Sequence, residues 1–345
     1  MKKLLHRIKV LARWTSIWIT RIVKFLTHDI WFLNEEDFTR WKGRLVKDLK
    51  VVILMYNTFI DQKIGYQITA LAYRSMLSVV PAIAIGFYLT DGIGLRDKFA
   101  EVLYANLSSE QSIIDSLLQA ADNIVVTAES GLFGFISMGT FIWIVLNLMM
   151  TVRRVFNNVW KVNKEKSFLK MIGVIIGITI LSPFVVIIFF SGSVIYSHVL
   201  DLLFPSGFVL SGVLKSFLSW VLFAGISILV MALMFKYIPG TRVQMRHAFK
   251  GAIVSGLVFT AVQYLYLETQ VMVAKQSAIY GFLAAIPLFM IWLNLGWTIV
   301  MYGAELSFAF QNVDKHRVTV EAIDKMNEDA LRARKERLHN TIKNK

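Results

Sequence analysis

Six stretches of this chain, near 64–90, 131–152, 171–196, 216–235, 251–267 and 276–303, are apolar enough to cross a lipid bilayer. A helix rises about 1.5 Å per residue and the hydrocarbon layer is about 30 Å thick, so about 20 residues suffice. Five of the runs meet that length; the fifth in order is short, with Phe249 or Glu268 at its edges. All are continuously apolar rather than alternating, which selects helices over the strands of a membrane barrel. The expected fold is therefore all-α, a bundle of six transmembrane helices.

The basic residues then orient the bundle. When the connections are taken alternately, the N-terminal arm, the loops near 152–170 and 236–250 and the C-terminal tail hold 32 of the 37 lysines and arginines. The other loops hold only Arg96, Lys98, Lys215 and Lys275, and Arg74 lies inside the first run. Short loops rich in Lys and Arg remain cytoplasmic, which predicts that both termini are inside. The net charge of +14 needs no nucleic acid to explain it, since no nucleic-acid-binding signature accompanies it. Its expected partners are membrane lipids, in particular anionic headgroups on the cytoplasmic leaflet. Cysteine is absent, which removes disulfides, thiolate chemistry and Cys-ligated metals. Lys2, Lys3, Arg7, Lys9 and Arg13 interrupt the region where a cleavable signal would need an apolar core.

Outside the six runs the chain divides into two arms and one long outer segment. Residues 1–63 read as cytoplasmic or interfacial amphipathic helices: Leu4, Ile8, Leu11, Thr15, Trp18, Ile22 and Phe25 share helical spacing. Beyond an acidic break at 34–37, Phe38, Trp41, Leu45, Val52, Met55 and Phe59 repeat the pattern and lead toward the first span. Packing of these helices against the bundle is the competing reading. The transmembrane domain is expected over 64–311, with an outer, acidic, amphipathic segment at about 91–130. Residues 312–345 form a charged cytoplasmic tail, read as a solvated helix or a partly disordered arm.

Charge inside hydrocarbon is costly and marks positions to examine. Arg74, Asn147, Arg153, Arg154 and Glu305 all fall in the inner half of the predicted bilayer. One reading is a cavity that recognises an anionic headgroup, with Arg supplying bidentate bonds to phosphate. The other is a structural Arg74–Glu305 pair, with Arg153 and Arg154 reaching to the interface. Pro81, Pro183 and Pro287 fall within spans and suit kinked helices, whether moving or static. Gly173 with Gly177, and Gly251 with Ser255, have the small-xxx-small spacing of closely packed helices. Asn147, Gln263 and Asn294 fit interhelical hydrogen bonding better than substrate ligation. The six histidines are scattered, with no metal-binding spacing, phosphate loop or nucleophile elbow, so neither cofactor, metal nor catalytic residue is expected.

Several segments together resemble the YihY/virulence factor BrkB family of bacterial membrane proteins. The run Ala70-Leu71-Ala72-Tyr73-Arg74-Ser75-Met76-Leu77-Ser78-Val79-Val80-Pro81 is similar to its first-span signature, in which Tyr73, Ser78 and Pro81 match and Arg74 departs. Arg153 to Trp160, including Asn157, is similar to the family's second-span exit. Tyr237-Ile238-Pro239-Gly240 resembles a family loop in which Asn usually occupies the place of Gly240. Ala278-Ile279-Tyr280-Gly281, Pro287, Trp292 and Gly303-Ala304-Glu305-Leu306 resemble its C-terminal block. The resemblance spans roughly 69–312 and implies six spans in the bacterial inner (cytoplasmic) membrane.

What it implies about activity is coarser. Some members have been labelled ribonuclease BN, a tRNA-processing nuclease, but no cytoplasmic metal cluster supports carrying that over. Family associations with envelope lipids point instead to binding or translocation of a lipid-like anionic amphiphile, without nucleotide hydrolysis. On this expectation Arg74 and Glu305 form a charged gate, Asn147 and Arg154 contact the headgroup, and Tyr280, Gly281 and Pro287 form a flexible outer entry. A non-catalytic envelope scaffold is the alternative, and a nuclease ranks behind both. The sequence leaves a homo-oligomer open.

Overall fold

The computed structural model describes residues 20–21, 24–26, 29–34, 37–91, 132–162, 212–274 and 278–343, with isolated positions at 115, 119, 123 and 173. Among these residues the fold is helical and contains no strand. A 3-10 turn at Asp29–Phe32 precedes helices α1 (Arg40–Asp61), α2 (Ile64–Asp91), α3 (Leu132–Val159), α4 (Gly212–Tyr237), α5 (Met245–Ala274) and α6 (Ala278–Lys343). Four helices are long and apolar enough to cross a membrane, within Gly139–Val159, Trp220–Tyr237, Met245–Tyr266 and Pro287–Lys335. The first predicted span is the single helix α2, whose 28 residues give a length of about 42 Å. The third predicted span, the outer segment at 91–130 and the helix proposed for 4–25 lie almost wholly outside the described residues.

Local chemistry sets the helix boundaries. Helix α1 stops where Lys63 adopts a left-handed conformation (φ 52°) and its N–H donates to the Ile60 carbonyl at 3.0 Å. The end of α3 is a complete Schellman motif around Lys161 (φ 49°). There the Lys161 N–H donates to the Asn158 carbonyl and the Val162 N–H to the Asn157 carbonyl, both at 2.9 Å. These are lysines in a region that usually favours glycine. Helices α2 and α6 continue unbroken through Pro81 and Pro287. Helix α6 continues beyond the end expected for the sixth span near 303 and is 66 residues long in all. Between Gly303 and Lys343 no glycine or proline interrupts it.

The chain divides into two compact units, one of Met1–Thr58 with Phe308–Lys345, the other of Phe59–Ser307. In the first, Ile30, Trp31, Val51, Leu54 and Val313 are buried. The Trp31 ring meets His316 edge-on at 4.7 Å, and Lys47 pairs with Asp314 at 2.9 Å. Lys50, wholly buried, donates from Nζ to the Leu33 carbonyl at 2.8 Å, which gives its ammonium a partner inside the core. In the second unit α2 packs on α3 and α4 on α5. Its core includes Ile68, Leu71, Val152, Phe156, Ala232, Phe235, Ala252, Met301 and Ala304. Large apolar side chains such as Phe217, Val254, Leu257 and Ile291 are left uncovered by protein, as lipid-facing positions require.

Candidate functional site

Arg74 is the centre of the polar contact between α2 and α3. Asn147 and Thr151 are four residues apart and so occupy one face of α3. The Arg74 Nη1 donates to Asn147 Oδ1 at 2.8 Å and to Thr151 Oγ1 at 2.5 Å. Thr151 Oγ1 in turn donates to the Asn147 carbonyl at 2.8 Å, and Ser78 Oγ donates to the Arg74 carbonyl at 2.8 Å. Both of Arg74's bonds use one nitrogen, and neither Nε nor Nη2 is bonded to a described residue. The side chain is half-buried. A guanidinium is thus fixed in direction by two neutral acceptors while an edge of its donor fork stays open.

The expected Arg74–Glu305 pair is not formed. Trp297 Nε1 donates to Ser75 Oγ at 2.9 Å, which sets the level at which α6 meets α2. Glu305 is eight residues further along α6, about 12 Å along the axis and past the reach of Arg74. Its carboxylate is fully buried, and neither oxygen has a hydrogen-bond partner among the described residues. Lys161, at the Schellman end of α3, is near enough to act on it electrostatically. Arg153 is also buried, with Nε lacking a described partner, whereas Arg154 is exposed. The Asn147 side-chain oxygen is therefore already engaged by Arg74.

The far end of α6 is remote from this cluster. Pro287 lies ten residues before Trp297, about 15 Å along the helix. It is exposed, and Tyr280 and Gly281 precede it in the same helix. The three are not brought together with Arg74. Gln263 bridges helices by accepting a bond from Trp292 Nε1 at 2.9 Å, while the Asn294 side chain makes no such bond among the described residues.

Glycines and serines build the neighbouring contact. A Cβ at Gly251 would meet the Gly303 carbonyl at 2.5 Å and Ser307 N at 3.0 Å, besides striking Ser307 Oγ. A Cβ at Gly303 would meet Ser255 Cβ at 2.6 Å and Phe235 Cζ at 2.7 Å. The Gly251/Ser255 pair on α5 therefore interlocks with a Gly303/Ser307 pair on α6. Both hydroxyls donate at 2.9 Å to carbonyls of their own helices, Ser255 to Gly251 and Ser307 to Gly303. Gly256 gives α4 similar access, since a Cβ there would meet Ile228 Cγ1 at 2.6 Å. The four-residue spacings of Gly303 with Ser307 and of Asn147 with Thr151 stand in the sequence, but they gain meaning only from the helices that meet them.

Motif positions distant in sequence also meet. The Gly240 N–H donates to Asn157 Oδ1 at 2.7 Å, and Asn158 Nδ2 donates to the Gln62 carbonyl at 3.2 Å. Pro239 is buried beside Gly240, whereas Tyr73 is exposed. No group of three or more His, Asp or Glu residues suited to a metal ion occurs among the described residues.

Comparison with known proteins agrees on kind and is silent on chemistry. A family model described as "Virulence factor BrkB" matches residues 55–326. A UPF0761 membrane protein of Idiomarina loihiensis is 28% identical over 248 residues, covering 70% of this chain and 84% of its own. One from Mannheimia succiniciproducens is 25% identical over 263 residues, covering 74% and 87%. One from Legionella pneumophila is 24% identical over 269 residues, covering 73% and 60%. No solved structure matches the chain.

Proposed function

Since the chain belongs to the virulence factor BrkB family of membrane proteins, we propose that it binds a lipid-like anionic amphiphile and moves it between leaflets without hydrolysing nucleotide. The setting of that proposal is a six-span protein of the bacterial inner membrane, with both termini cytoplasmic on the strength of its basic loops. The observation that carries it is the Arg74 guanidinium. It is anchored through Nη1 by Asn147 and Thr151 and paired with no described carboxylate, and its Nε and Nη2 are left for a ligand. A cation at membrane depth is costly unless neutralised, so an arginine oriented by neutral groups favours an incoming anion. Two donors on one planar edge suit the paired oxygens of a phosphate. Arg154, exposed near the end of α3, supplies a second positive charge at the basic end of the helix.

The test is lipid movement in vesicles containing the purified protein. Wild-type protein accelerates the exchange of fluorescent anionic lipid between leaflets. Arg74→Gln reduces that rate at least tenfold at unchanged folded yield, and Arg74→Lys, which keeps the charge but loses the fork, lies between. No movement above empty vesicles would favour the scaffold alternative, and metal-dependent tRNA cleavage persisting through rigorous purification would favour the nuclease. A loss of folded yield in step with lost movement would make Arg74 structural.

A further inference from the structure

Helix α1 has two apolar faces, and its own unit covers only one of them. Val51 and Leu54 are buried, together with Gly43, Lys50 and Thr58. On the other side Trp41, Leu45, Leu49, Val52 and Tyr56 follow one another at intervals of four, four, three and four residues. At about 100° per residue, all five fall within an arc of about 80°. Their exposure runs from 41% at Leu49 to 70% at Trp41, far above what a packed helix face shows. The sequence pattern alone grouped Met55 and Phe59 with this face. Instead, Met55 is partly covered and Phe59 stacks on Tyr302 at 4.4 Å, while Leu49 and Tyr56 complete the open stripe.

The borders of the stripe indicate what covers it. Exposed Arg44 lies along one edge and exposed Lys42 along the other, with exposed Arg40 a turn before Arg44. A single acid, Asp48, stands on the Arg44 side. A narrow apolar strip carrying Trp and Tyr, with three exposed cations gathered at its N-terminal end, matches the chemistry of an anionic bilayer surface. Leu and Val enter below the glycerol level, aromatic rings sit among the headgroups, and the cations meet phosphates. A second copy offers the cations nothing: a parallel two-fold contact would set Arg40, Lys42 and Arg44 against their own counterparts, and an antiparallel one would place them at the uncharged 52–60 end of the partner helix.

We propose that this face of α1 is a membrane-surface anchor that lies in the headgroup region of an anionic leaflet. The proposal does not depend on substrate binding at Arg74.

The chain lacks cysteine, so Leu45→Cys, Leu49→Cys and Val52→Cys each accept a single nitroxide in the full-length protein. In nanodiscs rich in phosphatidylglycerol, the labels are expected to be several-fold more accessible to oxygen than to a water-soluble nickel complex. In phosphatidylcholine discs that ratio falls, and the combined change Arg40→Gln, Lys42→Gln and Arg44→Gln abolishes the difference between the two lipids. Nickel-accessible labels in both discs would overturn the proposal. So would spin–spin broadening between copies, or identical depth in charged and neutral lipid with the basic residues intact.

Discussion

The α2–α3 contact and the α5–α6 contact join helices of the same unit by opposite means. Between α2 and α3 the junction is polar, with one arginine spread over Asn147 and Thr151. Between α5 and α6 it is made by missing side chains: Gly251 and Gly303 let the helices approach until Ser307 and Ser255 fill the gaps. Lipid tails are as apolar as leucine, so hydrophobicity alone does not bring helices together in a bilayer, and packing or hydrogen bonds must do so. The glycine contact tolerates no added atoms but carries no charge. The arginine contact can be rearranged, and it retains unused donors. Binding chemistry is therefore expected at the polar junction and rigidity at the small-residue one.

The contrast can be broken most strongly at Gly251. Gly251→Ala places a methyl group against the Gly303 carbonyl, which is backbone and cannot rotate away. A destabilisation of about 2–3 kcal/mol is expected, read as a lower melting temperature in detergent and a smaller folded yield. A near-neutral result would mean that α5 and α6 separate easily. A smaller effect is expected at Asn147→Ala, which leaves the Arg74 Nη1 with Thr151 alone. Losing one partner of a charged donor costs about 1–3 kcal/mol, and lipid movement should fall further than stability because the fork loses its fixed direction. Equal losses would make Asn147 simply structural.

The smallest effect is expected at Glu305. A fully buried carboxylate whose oxygens lack described hydrogen-bond partners contributes little to the fold that a neutral amide could not. Glu305→Gln should leave the melting temperature unchanged or raise it. A drop comparable to that of Asn147→Ala would show that Lys161, placed in its left-handed conformation at the end of α3, holds the carboxylate by charge.

The matching level of Arg74 and Asn147 was legible in the sequence, while neighbourhood was not. The length of an apolar run measures how far along a helix a residue sits, and that measure put Arg74 and Asn147 at similar levels, as their bond requires. Which helix faces which depends on rotation about each axis and on the order of packing, neither of which a single run records. For Glu305 the level itself misleads: the sequence puts it at a depth comparable to Arg74, yet it lies eight residues beyond Trp297, the α6 residue that meets Ser75, and Arg74 turns instead to two neutral groups on α3. The small-residue pair on α5 could be read from Gly251 and Ser255, but its counterpart on α6 becomes meaningful only once those helices touch. The C-terminal segment illustrates the same limit. Its apolar residues are too sparse to announce a partner, yet Asp314 meets Lys47 from the other end of the chain.

The adjacent asparagines at the end of α3 tie together what the chain order keeps apart. Asn157 receives the amide of Gly240 from the α4–α5 connection, and Asn158 gives its own amide to Gln62 in the α1–α2 connection. One helical turn therefore serves as the common anchorage for two separate bends. The Arg74 contact at Thr151 lies on the same helix, six residues before Asn157 and about 9 Å along the axis.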